Sequence, residues 1–133
     1  MRHDDLIRQL ADVREHWRAG RLDDAGAAGE LARLRAGLAQ AEPDLAGSAG
    51  YQLAAFAEWL TPASRERRSA ARAALERVLG LSVPPAELVV AARGAIEEID
   101  RIAESAPYVD EQDVLLELCE PLELLIEEVE VSA

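Results

Sequence analysis

The sequence predicts an all-α fold from three observations. Apolar residues recur at alternating steps of four and three positions in six segments, which is the spacing of one helical face. Proline and glycine separate these segments, as they do between helices, and no segment shows the alternation of a strand between hairpin turns. The 133 residues, 50% of them hydrophobic, can fill one core. We therefore expect a single compact bundle of about six helices arranged as antiparallel hairpins, in one domain over residues 1–133.

The first two helices are predicted to form a hairpin. The segment from Asp4 to Ala19 ends at Gly20 and carries one apolar stripe, made of Leu6, Leu10, Val13 and Trp17. After a short link, Asp23 is a suitable N-cap because its carboxylate can accept from the first free N–H groups of a helix. This second helix is expected to run to Pro43, with a stripe of Ala27, Leu31, Leu34, Leu38 and Ala41.

Proline marks the starts of the later helices. A third helix is expected to begin either at Asp44, directly after Pro43, or near Ser48 if the glycines at 47 and 50 delay its start. Its inward stripe is predicted to consist of Leu45, Ala49, Leu53, Phe56 and Leu60. Thr61 followed by Pro62 reads as an N-cap and a first helical residue, and Gly80 ends the fourth helix that they start. The dipeptide at 84–85 opens a fifth helix in the same way, and this helix is expected to end before Pro107.

A sixth helix is predicted over residues 110–130, and Pro121 lies inside it. Its apolar stripe keeps one phase across the proline and consists of Leu115, Leu118, Leu122, Leu125 and Val129. Because proline has no N–H, the bond to the Glu117 carbonyl is lost, and the segment must kink or split in two. The unbroken apolar phase favours a kink near Pro121.

The composition limits the location and the partners of the protein. No apolar run approaches the length of a membrane span, and the first five residues are polar, so a cytoplasmic location is expected. Lys and Asn are both absent, which fits a GC-rich bacterial source. The net charge of −12 argues against general nucleic-acid binding and favours basic protein partners.

Nearly all of the net charge comes from the C-terminal segment. Residues 102–133 carry ten carboxylates and no basic side chain, whereas residues 1–101 carry 16 carboxylates and 14 arginines. Charge on one side of an apolar stripe is typical of a helix that docks on another protein. We predict an acidic partner-binding face made of Asp110, Glu111, Asp113, Glu117, Glu120, Glu123, Glu127 and Glu128.

The fourth helix carries the one locally basic face. Arg65, Arg68 and Arg72 are spaced by three and four positions, so their guanidinium groups can lie on one side. This face is predicted to meet the acidic terminal helices, either within one chain or between two chains of a homodimer. Charge complementarity of this kind fixes the register of an association.

No catalytic or metal-binding pattern is recognised. The two histidines, His3 and His16, both lie in the first helix, away from any serine or from Cys119. The carboxylate runs lack the turn glycine of a calcium loop and the Glu-x-x-His pairs of a di-iron bundle. Cys119 lies among leucines and is expected to be a buried structural thiol. No cofactor is therefore expected.

The sequence favours a non-enzymatic interaction module, such as an adaptor, an immunity protein or an inhibitor, that docks through its acidic last helix. One alternative is a small-ligand binder or enzyme with a cavity near residues 47–51, edged by Tyr51, Trp59 and Tyr108. Another is a structural subunit whose apolar stripes pack against copies of itself.

Overall fold

The computed structural model describes residues 3–38 and 48–132 of the chain. These residues form helices and no strand, which confirms the all-α class. The seven helices are α1 (His3–Arg18), α2 (Asp24–Leu38), α3 (Ser48–Trp59), α4 (Pro62–Leu79), α5 (Pro85–Ser105), α6 (Val109–Glu117) and α7 (Glu120–Ser132). No described helix is both long and apolar enough to cross a membrane.

The contacts of the chain divide it into two compact units. Unit 1 is Met1–Thr61 and unit 2 is Pro62–Ala133. Each unit has its own cluster of buried apolar side chains. The expectation of one domain over residues 1–133 stays a prediction.

Unit 1 is built from α1, α2 and α3, which pack on one another. Gly20 adopts a φ of +77°, a left-handed conformation that glycine takes without steric cost, and this ends α1 as predicted. The Gly26 N–H donates to the Asp23 carboxylate at 2.7 Å, which confirms Asp23 as the cap of α2. The predicted end of this helix at Pro43 lies outside the described residues.

The core of unit 1 is apolar, with an aromatic pair at its edge. Leu6 and Leu10 of α1 are each 1% exposed, and Leu34 of α2 is fully buried. The rings of Trp17 and Phe56 meet edge to face, with centroids 5.4 Å apart. These buried residues belong to the stripes that the sequence predicts.

Unit 2 is built around α5, which packs against α4, α6 and α7. Pro62 and Pro85 are the first residues of α4 and α5, as predicted, because proline has the φ of a helix and needs no N–H bond there. Ile99 of α5 and Leu122 of α7 are fully buried in the shared core.

The predicted kink near Pro121 is wrong, because the segment splits into α6 and α7. Leu118 and Cys119 donate their N–H groups to carbonyls three residues back, which tightens and ends α6. Pro121 is then the second residue of α7, a position whose N–H has no helical acceptor in any case. The split therefore costs no hydrogen bond at the proline.

Candidate functional site

Most carboxylates of the predicted acidic face lie on the outside of α6 and α7, and their contact with a partner stays a prediction. Seven of its eight carboxylates are exposed, namely Asp110, Asp113, Glu117, Glu120, Glu123, Glu127 and Glu128. The apolar stripe between them is turned inward, with Leu115 1% exposed and Leu122 fully buried. That stripe is already used by packing within unit 2, so a partner can meet only the outward residues of these helices.

The eighth carboxylate, Glu111, was predicted wrongly, because it is buried rather than available to a partner. Its residue is only 3% exposed. The Ser64 hydroxyl donates to Glu111 Oε1, and Arg67 Nε donates to Glu111 Oε2 at 2.6 Å. The acidic and arginine helices thus meet within one chain through Arg67, which the predicted basic face did not include.

The sequence held a signal for this buried cluster. Glu111 lies four positions before Leu115 and therefore continues the inward stripe of α6 toward its first turn. On α4, Ser64 and Arg67 precede buried Ala71 by seven and four positions, so they also lie on its inward side. A charged residue in phase with an apolar stripe predicts a buried pair, not an exposed face.

The buried cluster anchors α6 to α4 and has the chemistry of a structural contact. Ser64 is fully buried, so its hydroxyl has no access to a substrate. Neither α4 nor α6 contains a histidine that could act as its base. Removing one partner of a buried ion pair leaves the other charge without compensation, which makes such a pair a strong positional constraint. Within the described residues, no buried side-chain nitrogen or oxygen lacks a hydrogen-bond partner.

A groove lies at the surface of unit 2 where α6 meets α7, and we call it the junction groove. It is open to solvent, has a volume of about 630 Å³ and is lined by Arg72, Val114, Glu117, Leu118, Glu120, Pro121 and Leu124. Leu124 is 58% exposed and Val114 is 40% exposed, so two large apolar side chains lie together at the surface of this groove. The groove combines apolar contact area with two carboxylates and one guanidinium group.

The three arginines of the predicted basic face lie on α4 in different surroundings. Arg65 and Arg72 are exposed, and Arg68 is half-buried. Arg65 and Arg68 each have interaction partners of their own. Arg72 alone among them lines the junction groove, beside the acidic helices. A contact of these three residues with a second chain stays a prediction.

A second groove lies between the first turns of α5 and the end of α7. It encloses about 870 Å³, and its lining includes Val90, which is 71% exposed. Arg93 Nη2 donates to Glu130 Oε1 at 2.6 Å at this groove. The arginine of this groove is therefore already paired within the chain.

The aromatic residues of the alternative ligand site do not line either groove. Tyr51 is 41% exposed on α3, and Trp59 packs against the core of unit 1. Tyr108 is half-buried in unit 2, and Gly47 lies outside the described residues. The small-ligand and self-assembly interpretations stay predictions.

Cys119 is buried between α6 and α7, with 4% of its surface exposed. Burial, assisted by the negative charges of Asp100 and Glu123, raises the pKa of its thiol from 9.0 to about 11. The thiol therefore stays protonated at neutral pH and is a poor nucleophile. This agrees with the structural role expected for it.

Comparisons with known proteins add no functional information. No protein-family model matches the chain, and neither a curated protein nor a solved structure matches it significantly. Within the described residues, no group of three or more His, Cys, Asp or Glu side chains is arranged to hold a metal ion. Inference about function therefore depends on the chain's own surfaces.

Proposed function

We propose that this chain is a non-enzymatic protein-protein interaction module that binds a basic protein segment at the outer face of α6 and α7. The observation that supports this most strongly is the exposure of Leu124 and Val114 at a groove flanked by Glu117 and Glu120. Exposed apolar side chains rimmed by charge are typical of protein-binding surfaces.

The charge of the face specifies the chemistry of the partner. Residues 102–133 contain no basic side chain, so the carboxylates of α6 and α7 have no counter-charge within their own segment. A segment that carries Lys or Arg next to one large apolar side chain complements this face in both respects. The apolar group would enter the junction groove, and the cations would lie over Glu117 and Glu120.

The acidic face has regular helical order on α7. Its acidic positions on α7, Glu120, Glu123 and Glu127, follow steps of three and four and so lie on one side of that helix. Fixed carboxylates steer a cationic partner toward the face and raise the association rate. An adaptor, an immunity protein and an inhibitor would all use this mode of binding.

The proposal is tested by titrating the protein with a synthetic Lys-rich amphipathic helical peptide that carries one Phe, using calorimetry at low and high salt. Leu124→Ala is expected to weaken binding about tenfold, because apolar contact area is lost. Glu117→Gln with Glu120→Gln is expected to weaken it about tenfold at low salt, since each exposed ion pair contributes up to about 1 kcal/mol.

The matched control neutralises the same number of charges elsewhere. Asp12 and Glu15 are exposed on α1 in unit 1, so Asp12→Asn with Glu15→Gln changes the net charge equally and leaves the groove intact. This control is expected to change affinity by no more than about twofold, because neither residue lines the junction groove. Equal losses in both double variants would mean that the peptide senses only the net charge, which would contradict the proposed site.

A further inference from the structure

Among the residues that the structure describes, Arg72 is the only basic side chain that lines the junction groove. It comes from α4, whereas every other lining residue comes from α6, α7 or the turn between them. Arg72 is exposed, so its guanidinium group is accessible from the solvent side of the groove. The groove therefore has an arginine from one helix and two carboxylates, Glu117 and Glu120, from the others.

The ion pairs of unit 2 use other arginines. Arg67 pairs with Glu111 at 2.6 Å, Arg77 with Glu98 at 3.7 Å, and Arg93 with Glu130 at 2.6 Å. Arg72 belongs to none of these ion pairs of the described residues, although the carboxylates of Glu117 and Glu120 line the same groove as Arg72.

It is notable that Arg72 belongs to none of these ion pairs, because unit 2 is strongly acidic. Residues 62–133 hold 16 carboxylates and seven arginines, a net charge of −9. A guanidinium group presents five donors in a planar fork that fits one carboxylate with two parallel hydrogen bonds. Arg72 therefore offers, at the edge of the junction groove, a planar set of donors that suits an anion.

We infer that the partner segment carries a carboxylate as well as its basic and apolar groups, and that Arg72 binds this carboxylate at the α4 side of the junction groove. This inference rests on the proposed function, and it adds the orientation of the partner. The carboxylate lies toward α4, the apolar side chain lies against Val114 and Leu124, and the cation lies toward Glu117 and Glu120.

If Arg72 acted only through its charge, its removal would change the affinity for peptides in the opposite direction. If Arg72 only reduced the negative potential of the face, its removal would strengthen the binding of every basic peptide. If Arg72 binds a carboxylate, its removal weakens only those peptides that carry one. The direction of the change in affinity therefore distinguishes the two roles.

The test uses two amidated Lys-rich helical peptides with one Phe, identical except for Glu or Gln next to the Phe on the side away from the lysines. Calorimetry with the wild-type chain is expected to give about tenfold tighter binding of the Glu peptide. Arg72→Gln is expected to abolish that preference by weakening the Glu peptide alone. Arg101→Gln, at an exposed position of α5 outside the groove, removes the same charge and is expected to keep the preference.

A third peptide distinguishes the source of the carboxylate. It keeps the Gln but ends next to the Phe with a free terminal carboxylate, and recovery of tight binding that depends on Arg72 would support capture of a chain end. Equal binding of the Glu and Gln peptides to the wild-type chain, with no gain from the free terminus, would overturn this inference while leaving the proposed function intact. Absence of binding by all three peptides would overturn both.

Discussion

Unit 1 and unit 2 differ in what they bury and in what they expose. Among the described residues, the large apolar side chains that remain exposed lie in unit 2, with Tyr51 as the one exception in unit 1. Unit 1 has ten carboxylates and seven arginines, a net charge of −3 over residues 1–61, against −9 in unit 2. Unit 2 also buries the Arg67–Glu111 ion pair, whereas the Arg33–Glu30 pair of unit 1 is exposed.

The difference supports the placement of the proposed interaction on unit 2. Stability alone favours buried apolar groups and exposed charges, and unit 1 follows this rule with an apolar and aromatic core. Unit 2 departs from the rule twice, through a buried carboxylate and through apolar side chains left in solvent. Departures of this kind concentrate at functional sites. The buried pair fixes α6 against α4, and Arg72 and Val114 of these same two helices line the junction groove.

A large loss of stability is expected from breaking the buried ion pair. Glu111→Ala removes the carboxylate that pairs with the Arg67 side chain, which is only 15% exposed, and should lower the free energy of unfolding by about 3 kcal/mol. Glu30→Ala, at the exposed pair of unit 1, should lower it by at most about 0.5 kcal/mol. Urea unfolding at neutral pH measures both. Equal losses of unfolding free energy in Glu111→Ala and Glu30→Ala would contradict this contrast between the units.

A second variant distinguishes the positioning of α6 by the buried ion pair from the contribution of that pair to the stability of the fold. Replacing the cluster by apolar residues, with Glu111→Leu, Arg67→Met and Ser64→Ala together, is expected to be neutral or stabilising, because the desolvation of both charges is avoided and no buried hydroxyl loses its acceptor. The same triple variant is expected to bind the Lys-rich peptide more weakly if the pair positions α6 for the groove. Weaker binding with unchanged unfolding free energy would identify Glu111 and Arg67 as positioning residues.

The two sides of α7 should respond differently to truncation. Leu122→Ala removes a fully buried side chain and is expected to cost about 2–5 kcal/mol of unfolding free energy. Leu124→Ala removes a side chain that is 58% exposed, and its cost should stay below about 1 kcal/mol. Thermal and urea unfolding of the two variants provide the comparison. A large cost for Leu124→Ala would mean that this residue serves the core, not a partner.

Cys119 gives unit 2 a pH dependence of stability at alkaline pH. Its thiol pKa is raised to about 11, so between about pH 9 and pH 11 the folded state keeps a proton that the unfolded state releases. Stability is therefore full below pH 9 and falls with rising pH, by about 1.4 kcal/mol per pH unit within this window. Cys119→Ala should lack this component. Parallel pH profiles of the two proteins would contradict the burial of the thiol.

The smallest effects are expected at helical glycines, where both units should behave alike. A Cβ at Gly29 of α2 or at Gly94 of α5 meets no atom within 4 Å, so alanine at either position should stabilise the chain by about 1 kcal/mol. A Cβ at Gly26 would lie 3.0 Å from the Asp23 carboxylate that caps α2. Gly26→Ala should therefore stabilise the chain less than Gly29→Ala does, as measured by thermal unfolding. Equal stabilisation would show that the Asp23 carboxylate can shift without loss of stability.

Helix starts and stops were predictable from the sequence where backbone chemistry alone decides them. Gly20 ends α1 through its positive φ, and Pro62 and Pro85 begin α4 and α5. The break before Pro121 was not predictable from the sequence, because a kink and a split are both consistent with the same apolar phase. The choice between them depends on the hydrogen bonds of residues 115–119.

The candidate site was predictable in its charge but not in its shape. Charge asymmetry indicated the outward carboxylates of α6 and α7, and it misassigned Glu111 because the charge count ignored the phase of that residue with Leu115. The junction groove depends on where Arg72 of α4 lies against the turn between two other helices. Such a juxtaposition is set by tertiary packing, which periodicity along one segment does not encode.

The central claim is that unit 2 binds a basic segment at the junction groove, and a ¹⁵N-resolved NMR titration with the Lys-rich Phe peptide tests it most directly. We predict that the backbone signals that shift will cluster at Val114, Glu117, Leu118 and Leu124, with α1 and α2 unaffected. Saturable shifts centred on unit 1, or shifts spread evenly over exposed carboxylates of both units, would contradict it.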